Sequence, residues 1–125
     1  MFDTLTADEL AEDRATVAAA GLDAARRRAT ERLLEGPAAG LGPAADVNKL
    51  LVDRERFTPA WERLEPFEIR WALLVLRLVD GPINQLAAIR DARHRGATWA
   101  AIGQVLGITA STAHTRFSKQ IPAAD

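Results

Sequence analysis

Residues 96–117 read GATWAAIGQVLGITASTAHTRF, and this stretch decides the fold expected for the C-terminal part of the chain. Thr98 and Thr109 each precede a run of helix-forming residues, where a threonine hydroxyl can accept a hydrogen bond from a free amide of the first helical turn. Gly107 stands between the two runs, and glycine readily adopts the positive φ that a tight turn needs. The pattern therefore predicts two short helices joined by a turn, the second running to about Gln120.

Small and apolar residues occupy the positions at which two such helices must pack closely. Gly103 and Ala113 are small enough to let the two backbones approach, and Phe117 continues the inner face of the second helix. The side chains expected to fill the space between the helices are Ile102, Leu106 and Ile108. A helix-turn-helix unit is thus predicted from Thr98 to about Gln120.

The outer face of the second helix carries short side chains, which allow a helix to enter a DNA major groove about 12 Å wide. Serine, threonine and histidine can hydrogen-bond base edges, and a methyl group can contact thymine. The residues predicted to face bases are Ala110, Ser111, His114 and Thr115. Those predicted to contact phosphate are Thr98, Thr112, Arg116, Ser118 and Lys119. For His114, simple solvation is the alternative.

Residues 96–117 resemble the helix-turn-helix of sigma factor region four and of related actinobacterial regulators. Their pattern is a small residue, Ile-Ala, two variable residues, Leu-Gly-Ile/Val-Ser, two variable residues, Thr-Val, two variable residues and Arg-Leu. Here the matching positions are Ile102-Gly103, Leu106-Gly107-Ile108-Thr109, Thr112-Ala113 and Arg116-Phe117. The resemblance covers roughly a fifth of the chain and implies a DNA-binding unit of the sigma region four type.

Carried onto this sequence, the resemblance implies that Thr112 and Arg116 touch phosphate and that the four base-facing residues named above read the DNA. The family has a glutamate, able to pair with the later arginine, where this sequence has Ala101. Arg116 therefore lacks that partner. The chain before Gly81 contains no recognisable promoter-core recognition segment, which argues against a complete sigma factor.

Composition indicates an all-α protein. The chain has 125 residues, 48% of them hydrophobic, which is enough for one compact core. Alanine, leucine and arginine dominate and tyrosine is absent, as in helical proteins. Without any cysteine, disulfides, thiolate metal sites and a cysteine nucleophile are excluded, and a reducing cytoplasm is expected.

Charge divides the chain into two regions at residue 81. Residues 1–80 contain 11 bases and 15 acids, whereas residues 81–125 contain 5 bases and 2 acids. A basic surface is required for phosphate binding. The predicted organisation is an N-terminal helical region, 1–80, for the core and a possible dimer contact, followed by a DNA-binding region, 81–125.

Capping signals predict the helices of the N-terminal region. Thr6 and Glu9 form a capping box that starts the first helix, which either continues to Leu34 or, as Gly21 favours, breaks into two. A glycine- and proline-rich linker or ordered loop follows, near 36–45. Asp46 is then expected to cap the next short helix.

Three prolines predict further helix starts. Thr58 is expected to be the N-cap of a short helix whose first residue is proline. Pro66 is expected to open an apolar helix that runs to Val79. Gly81-Pro82 is expected to begin a third helix, which Gly96 closes. The apolar helix is either a core element or one face of a subunit interface. Because two-fold DNA sites are commonly read by two-fold proteins, a homodimer built by this helix and the N-terminal helices is predicted.

No pattern in the sequence favours catalysis. The chain lacks a Gly-x-Ser-x-Gly elbow, a phosphate loop and a paired-carboxylate pattern, and no ligand cluster accompanies His94 and His114. We therefore expect no enzyme activity, no metal and no cofactor. The longest apolar run is too short for a membrane span, and the first residues do not resemble a secretory signal. The alternative to a DNA-binding regulator is a non-catalytic adaptor that binds protein partners, for example through the N-terminal helices.

Overall fold

The computed structural model describes residues 4–121, and every regular element within that range is helical. The all-α prediction is therefore confirmed for this part of the chain. The α-helices are α1 (Ala7–Glu35), α2 (Ala44–Asp53), α3 (Pro59–Leu64), α4 (Glu68–Leu78), α5 (Pro82–His94), α6 (Trp99–Leu106) and α7 (Ala110–Phe117). Single turns of 3-10 helix cover Glu65–Phe67 and Ser118–Gln120.

Helix α4 lies at the centre of the fold, where it packs against α1, α5 and α6. Trp71 and Val75 on this helix are buried, as are Ala72 and Leu76. Their burial supports the interpretation of α4 as a core helix. The same hydrophobic cluster includes side chains of α1, α2, α3, α5, α6 and α7. The buried faces of α6 and α7 are therefore anchored on the common core.

Helix α1 is continuous through Gly21, so the predicted break at this residue is wrong. A Cβ atom on Gly21 would lie 2.9 Å from Nδ2 of Asn84 on α5. The glycine therefore serves close packing between two helices. Its cost within a helix, about 1 kcal/mol relative to alanine, is offset by burial of Ala29 and Leu33 farther along α1.

The first half of α1 extends away from the core. We call residues 7–20 the N-terminal arm. All of its side chains are exposed except that of Ala18, which is half-buried. Leu10 is 39% exposed and Val17 is 72% exposed, although helical spacing puts both on one broad face with Ala25, Ala29 and Leu33. The apolar stripe of this helix is thus covered only from about Leu22 onward.

Two helix starts differ from those expected. Asp46 does not cap α2, because the helix begins earlier, at Ala44, with Pro43 as its N-cap and no side-chain cap bond. The Asp46 carboxylate instead lies in the first turn, where it interacts favourably with the helix dipole. Helix α4 begins at Glu68 rather than at Pro66, which belongs to the preceding 3-10 turn. The segment between α1 and α2 is an ordered loop that buries Ala38.

The capping box at the start of α1 is confirmed. The Glu9 amide donates to Thr6 Oγ1 and the Thr6 amide donates to Glu9 Oε1, both over 3.1 Å. The backbone amide of Thr6, followed by its side chain, holds the pKa of the Glu9 carboxyl below the ordinary value of 4.5. The ionised carboxylate therefore stabilises the start of this helix.

Acid is expected to loosen the first turn of α1. The pKa of the Glu9 carboxyl is lower in the folded than in the unfolded chain. The ionised carboxylate therefore contributes its full stabilisation at pH values above the ordinary pKa. That stabilisation is lost as the pH falls through the lowered pKa of the folded chain. NMR-detected hydrogen exchange at the Thr6 amide, which donates to the Glu9 carboxylate, measures this change when protection is followed from neutral to acidic pH. A Glu9→Gln variant, which cannot titrate, should lose the dependence. Unchanged protection of the wild-type amide across the titration would contradict the assignment.

Candidate nucleic-acid interface

Helices α6 and α7 are joined by a tight turn at Gly107. This glycine has φ +75°, and its amide donates to carbonyl groups in the last turn of α6. The next amide, that of Ile108, donates to the Gly103 carbonyl over 2.9 Å. A Cβ atom on Gly103 would lie 2.6 Å from the Ile108 carbonyl oxygen. Any residue other than glycine at position 103 would therefore force the backbone of the turn away from α6.

Apolar side chains hold α7 against the rest of the fold. Ile102 and Ala113 are fully buried, and Phe117 is 9% exposed. Leu106 and Ile108 are half-buried and pack against the same core. These are the inner-face residues predicted from the sequence, and their burial leaves the opposite side of α7 toward solvent.

Threonine side chains cap both helices, as predicted. Thr98 Oγ1 accepts from the Ala101 amide over 3.0 Å, and Thr109 Oγ1 accepts from the Thr112 amide over 3.1 Å. The Thr109 hydroxyl also donates to Thr112 Oγ1 over 2.9 Å. The first turn of α7 is thereby fixed in geometry before any ligand binds.

The predicted base-facing residues lie on α7, and the predicted phosphate-facing residues lie on α7 or the 3-10 turn after it, except Thr98, which precedes α6. Ser111, His114 and Thr115 are exposed, whereas Ala110 is half-buried. Among the predicted phosphate contacts, Ser118 is half-buried and the exposed members are Thr98, Thr112, Arg116 and Lys119. A shallow concavity on this surface is lined by Ser111, Thr112, Thr115 and Arg116.

An aromatic contact that sequence reasoning missed positions His114. Its ring meets the Trp99 ring edge to face, with centroids 5.7 Å apart and planes at 86°. The Arg93 guanidinium of α5 lies 5.0 Å from the centroid of the Trp99 ring, so this tryptophan also packs against the preceding helix. His114 is thus exposed but restrained. No local pattern signals this contact, because the two rings lie on different helices.

The surface around α7 is positively charged. Residues 96–121 contain no aspartate or glutamate. The ion pairs formed within residues 4–121 do not include Arg90, Arg93, Arg116 or Lys119. Arg90 instead donates to the Gln120 carbonyl at the end of the last 3-10 turn, over 3.3 Å. The positive charge of these side chains is therefore available to an anionic ligand.

A buried arginine fixes the segment that leads into α6. The Arg95 side chain is only 1% exposed, and its guanidinium lies 4.7 Å from the centroid of the Trp71 ring. Its hydrogen-bond acceptors are the carbonyl oxygens of Leu51 (2.6 Å) and Val52 (3.2 Å) and the carboxylates of Glu68 (3.1 Å) and Asp91 (2.9 Å). Arg95 therefore ties the end of α5 to α2 and α4, three residues before the N-cap of α6. No local pattern in the sequence signals its burial, because three of its four acceptors lie on α2 and α4.

Comparison of the chain with protein-family models, with curated proteins and with solved structures gave no match. Among residues 4–121, no helix has the length and apolar character needed to cross a membrane. The geometry and charge of α6 and α7 are therefore the basis for a functional proposal.

Proposed function

We propose that the protein is a sequence-specific, non-catalytic transcriptional regulator that binds double-stranded DNA through a C-terminal helix-turn-helix formed by α6 and α7. One observation carries the proposal. The outward side of α7 combines short, exposed polar side chains with a capped N-terminal turn, within a segment, residues 96–121, that contains Arg116 and Lys119 but no aspartate or glutamate. A helix with these properties can enter a major groove without steric or electrostatic conflict.

In this proposal, sequence is read by the exposed side of α7. Ser111, His114 and Thr115 offer hydrogen-bonding groups, and the Ala110 methyl offers an apolar contact to a thymine methyl. The edge-to-face contact with Trp99 restricts the His114 ring, which lowers the entropy lost when it binds a base edge.

Phosphate binding surrounds this reading surface. Arg116 and Lys119, which follow the base-facing residues along the chain, supply positive charge. Neutral hydrogen bonds to phosphate come from the Thr98 and Thr112 hydroxyls and from the half-buried Ser118. Phosphate contacts set the orientation of the protein on the duplex and contribute most of the salt dependence. Affinity should therefore fall steeply between low and moderate salt.

A protein-binding adaptor is the second candidate, favoured by the exposed apolar side chains of the N-terminal arm, Leu10 and Val17. The two candidates differ in their response to salt and to DNA sequence. An adaptor would show no salt-dependent binding to duplex DNA in fluorescence anisotropy, and it would enrich no sequence from a pool of random duplexes.

Two alanine variants separate phosphate binding from base reading. Lys119→Ala should weaken binding to every duplex about equally and reduce the salt slope by about 1. Ser111→Ala should instead change the preference at one base pair by about 1–3 kcal/mol. Arg63→Ala, an exposed position on α3, is the matched control and should bind like the wild type. Anisotropy titrations on selected and randomised duplexes measure all three. Unchanged binding of both Lys119→Ala and Ser111→Ala would argue against the proposal.

A further inference from the structure

A groove with an apolar floor lies between α1 and α4, on a part of the surface that the proposed DNA interface does not use. Its floor is formed by Leu33, Leu73, Leu74 and Val105. Three of these side chains are only half-buried. An open apolar surface of this kind gains free energy when another apolar surface covers it.

Three arginines line this groove, which we call the arginine groove. Arg70 and Arg77 are exposed side chains two helical turns apart on α4, and no carboxylate in residues 4–121 pairs with either of them. Arg32 on α1 lies 3.7 Å from the Glu35 carboxylate, an exposed pair that contributes little. The groove therefore favours an acidic, partly apolar occupant.

The N-terminal arm has the complementary properties. Its acids are Asp8, Glu9, Glu12 and Asp13, against the single base Arg14. Leu10 and Val17, seven residues apart like the two α4 arginines, expose apolar surface. The arm is the exposed extension of α1, so it lacks the tertiary packing that supplies most of the stability of protein helices.

The arm cannot reach the arginine groove of its own chain. The arm and one wall of the groove, formed by Arg32 and Leu33, belong to the same continuous helix α1. The rise of about 1.5 Å per residue places Glu12 about 30 Å from Arg32 along the helix axis. The occupant of the groove must therefore come from another molecule.

We propose that the N-terminal arm of one copy binds the arginine groove of a second copy, and that this exchange is reciprocal. Leu10 and Val17 cover the apolar floor, and the carboxylates of Glu9 and Asp13, which flank these two side chains on the helix, face Arg70 and Arg77. Two such contacts related by a two-fold axis close the assembly as a dimer. The dimer does not depend on the proposed DNA binding, and it explains why an acidic helix extends from the core.

Light scattering of paired charge reversals tests this arrangement. The wild type should be a dimer at tens of micromolar. Arg70→Glu with Arg77→Glu, and separately Glu9→Arg with Asp13→Arg, should each raise the dimer dissociation constant by about a hundredfold, because like charges then face each other at both contacts. An equimolar mixture of the two variants should form a heterodimer, since each arm then meets a groove of opposite charge.

The matched control is Arg56→Glu with Arg63→Glu, two exposed arginines outside the groove, which should remain dimeric. Three results would overturn the proposal: a monomeric wild type, a dimer that survives reversal of the groove, or a mixture that stays monomeric although circular dichroism shows both variants folded. All four charge-reversed positions lie outside α7. Binding of the monomeric variants to a half-site duplex therefore tests the DNA-binding proposal separately.

Discussion

Replacement of Arg95 by methionine is expected to lower the free energy of unfolding by about 3–5 kcal/mol, the range for removal of one partner from a buried ion pair. The Glu68 carboxylate, 8% exposed, would keep only Arg54 as a charged partner. The Leu51 carbonyl, to which Arg95 donates over 2.6 Å, would lose that donor. Each buried polar group left without its hydrogen bond adds about 1–3 kcal/mol of desolvation cost.

Urea denaturation followed by circular dichroism measures this loss, with Arg63→Met as the control. Arg63 is exposed, so its replacement should change stability by no more than about 0.5 kcal/mol. Combining Arg95→Met with Glu68→Gln should cost less than the sum of the two single changes, because the second change removes the charge that the first leaves unpaired. An Arg95→Met variant with the wild-type midpoint would show that the buried ion pair contributes no net stability.

The same substitution should also affect the proposed DNA interface. Arg95 stands three residues before Thr98, the N-cap of α6, and its hydrogen bonds to the carbonyls of α2 hold this segment in place. Loss of that anchor is expected to loosen α6 relative to α4. DNA affinity should therefore fall even at temperatures where the variant is still folded.

The helix ends at Thr6, Thr98, Gly107 and Thr109 were predictable because their signals are local. Thr6, Thr98 and Thr109 each bond an amide three residues away, and Gly107 supplies a positive φ at the point where α6 ends. Such contacts depend only on neighbouring residues, so a single sequence contains the information. The all-helical fold follows from the same signals together with the composition.

The buried polar contacts were not predictable, because their partners are distant in the chain. Arg95 and Glu68 are 27 residues apart, and the Trp71 ring nitrogen donates to the Thr30 hydroxyl across 41 residues. A helical pattern marks arginine, glutamate and threonine as solvent-facing, and only the tertiary fold provides buried partners. The same limitation applied to the N-terminal arm, since apolar spacing cannot show whether a helix face has a neighbour to pack on.

For the candidate site, the sequence predicted which residues share a surface but not how that surface is restrained. The inner face, with Ala113 and Phe117, follows from helical spacing, and it leaves Ser111 and Thr115 exposed on the other side. The contact between Trp99 and His114 depends on the angle between α6 and α7. That angle is set by how closely the turn approaches Gly103, and spacing along the chain does not report it.

The close approach at Gly103 leads to the second large expected effect. Gly103→Ala should lower the free energy of unfolding by about 3 kcal/mol, the upper end of the range for overpacking. The new methyl group would lie 2.6 Å from the Ile108 carbonyl oxygen and 3.0 Å from that of Thr109. Both atoms belong to the backbone, so the turn itself must move. At an unhindered helical position the same change would add about 1 kcal/mol of stability, so steric conflict reverses the sign.

Gly107→Ala is the matched control, because it changes the same turn without a clash. The φ of +75° at Gly107 disfavours alanine, but a Cβ atom at this position meets nothing within 4 Å. The free energy of unfolding is therefore expected to fall by only about 1–2 kcal/mol. If α7 reads DNA, Gly103→Ala should lose more than about tenfold in affinity at a temperature where both variants are folded, because displacement of the turn misaligns α7 relative to α6 and the duplex. Gly107→Ala should bind nearly like the wild type under those conditions. Equal losses of affinity in the two variants would mean that stability alone governs binding, and the close approach at Gly103 would then have no specific part in orienting α7.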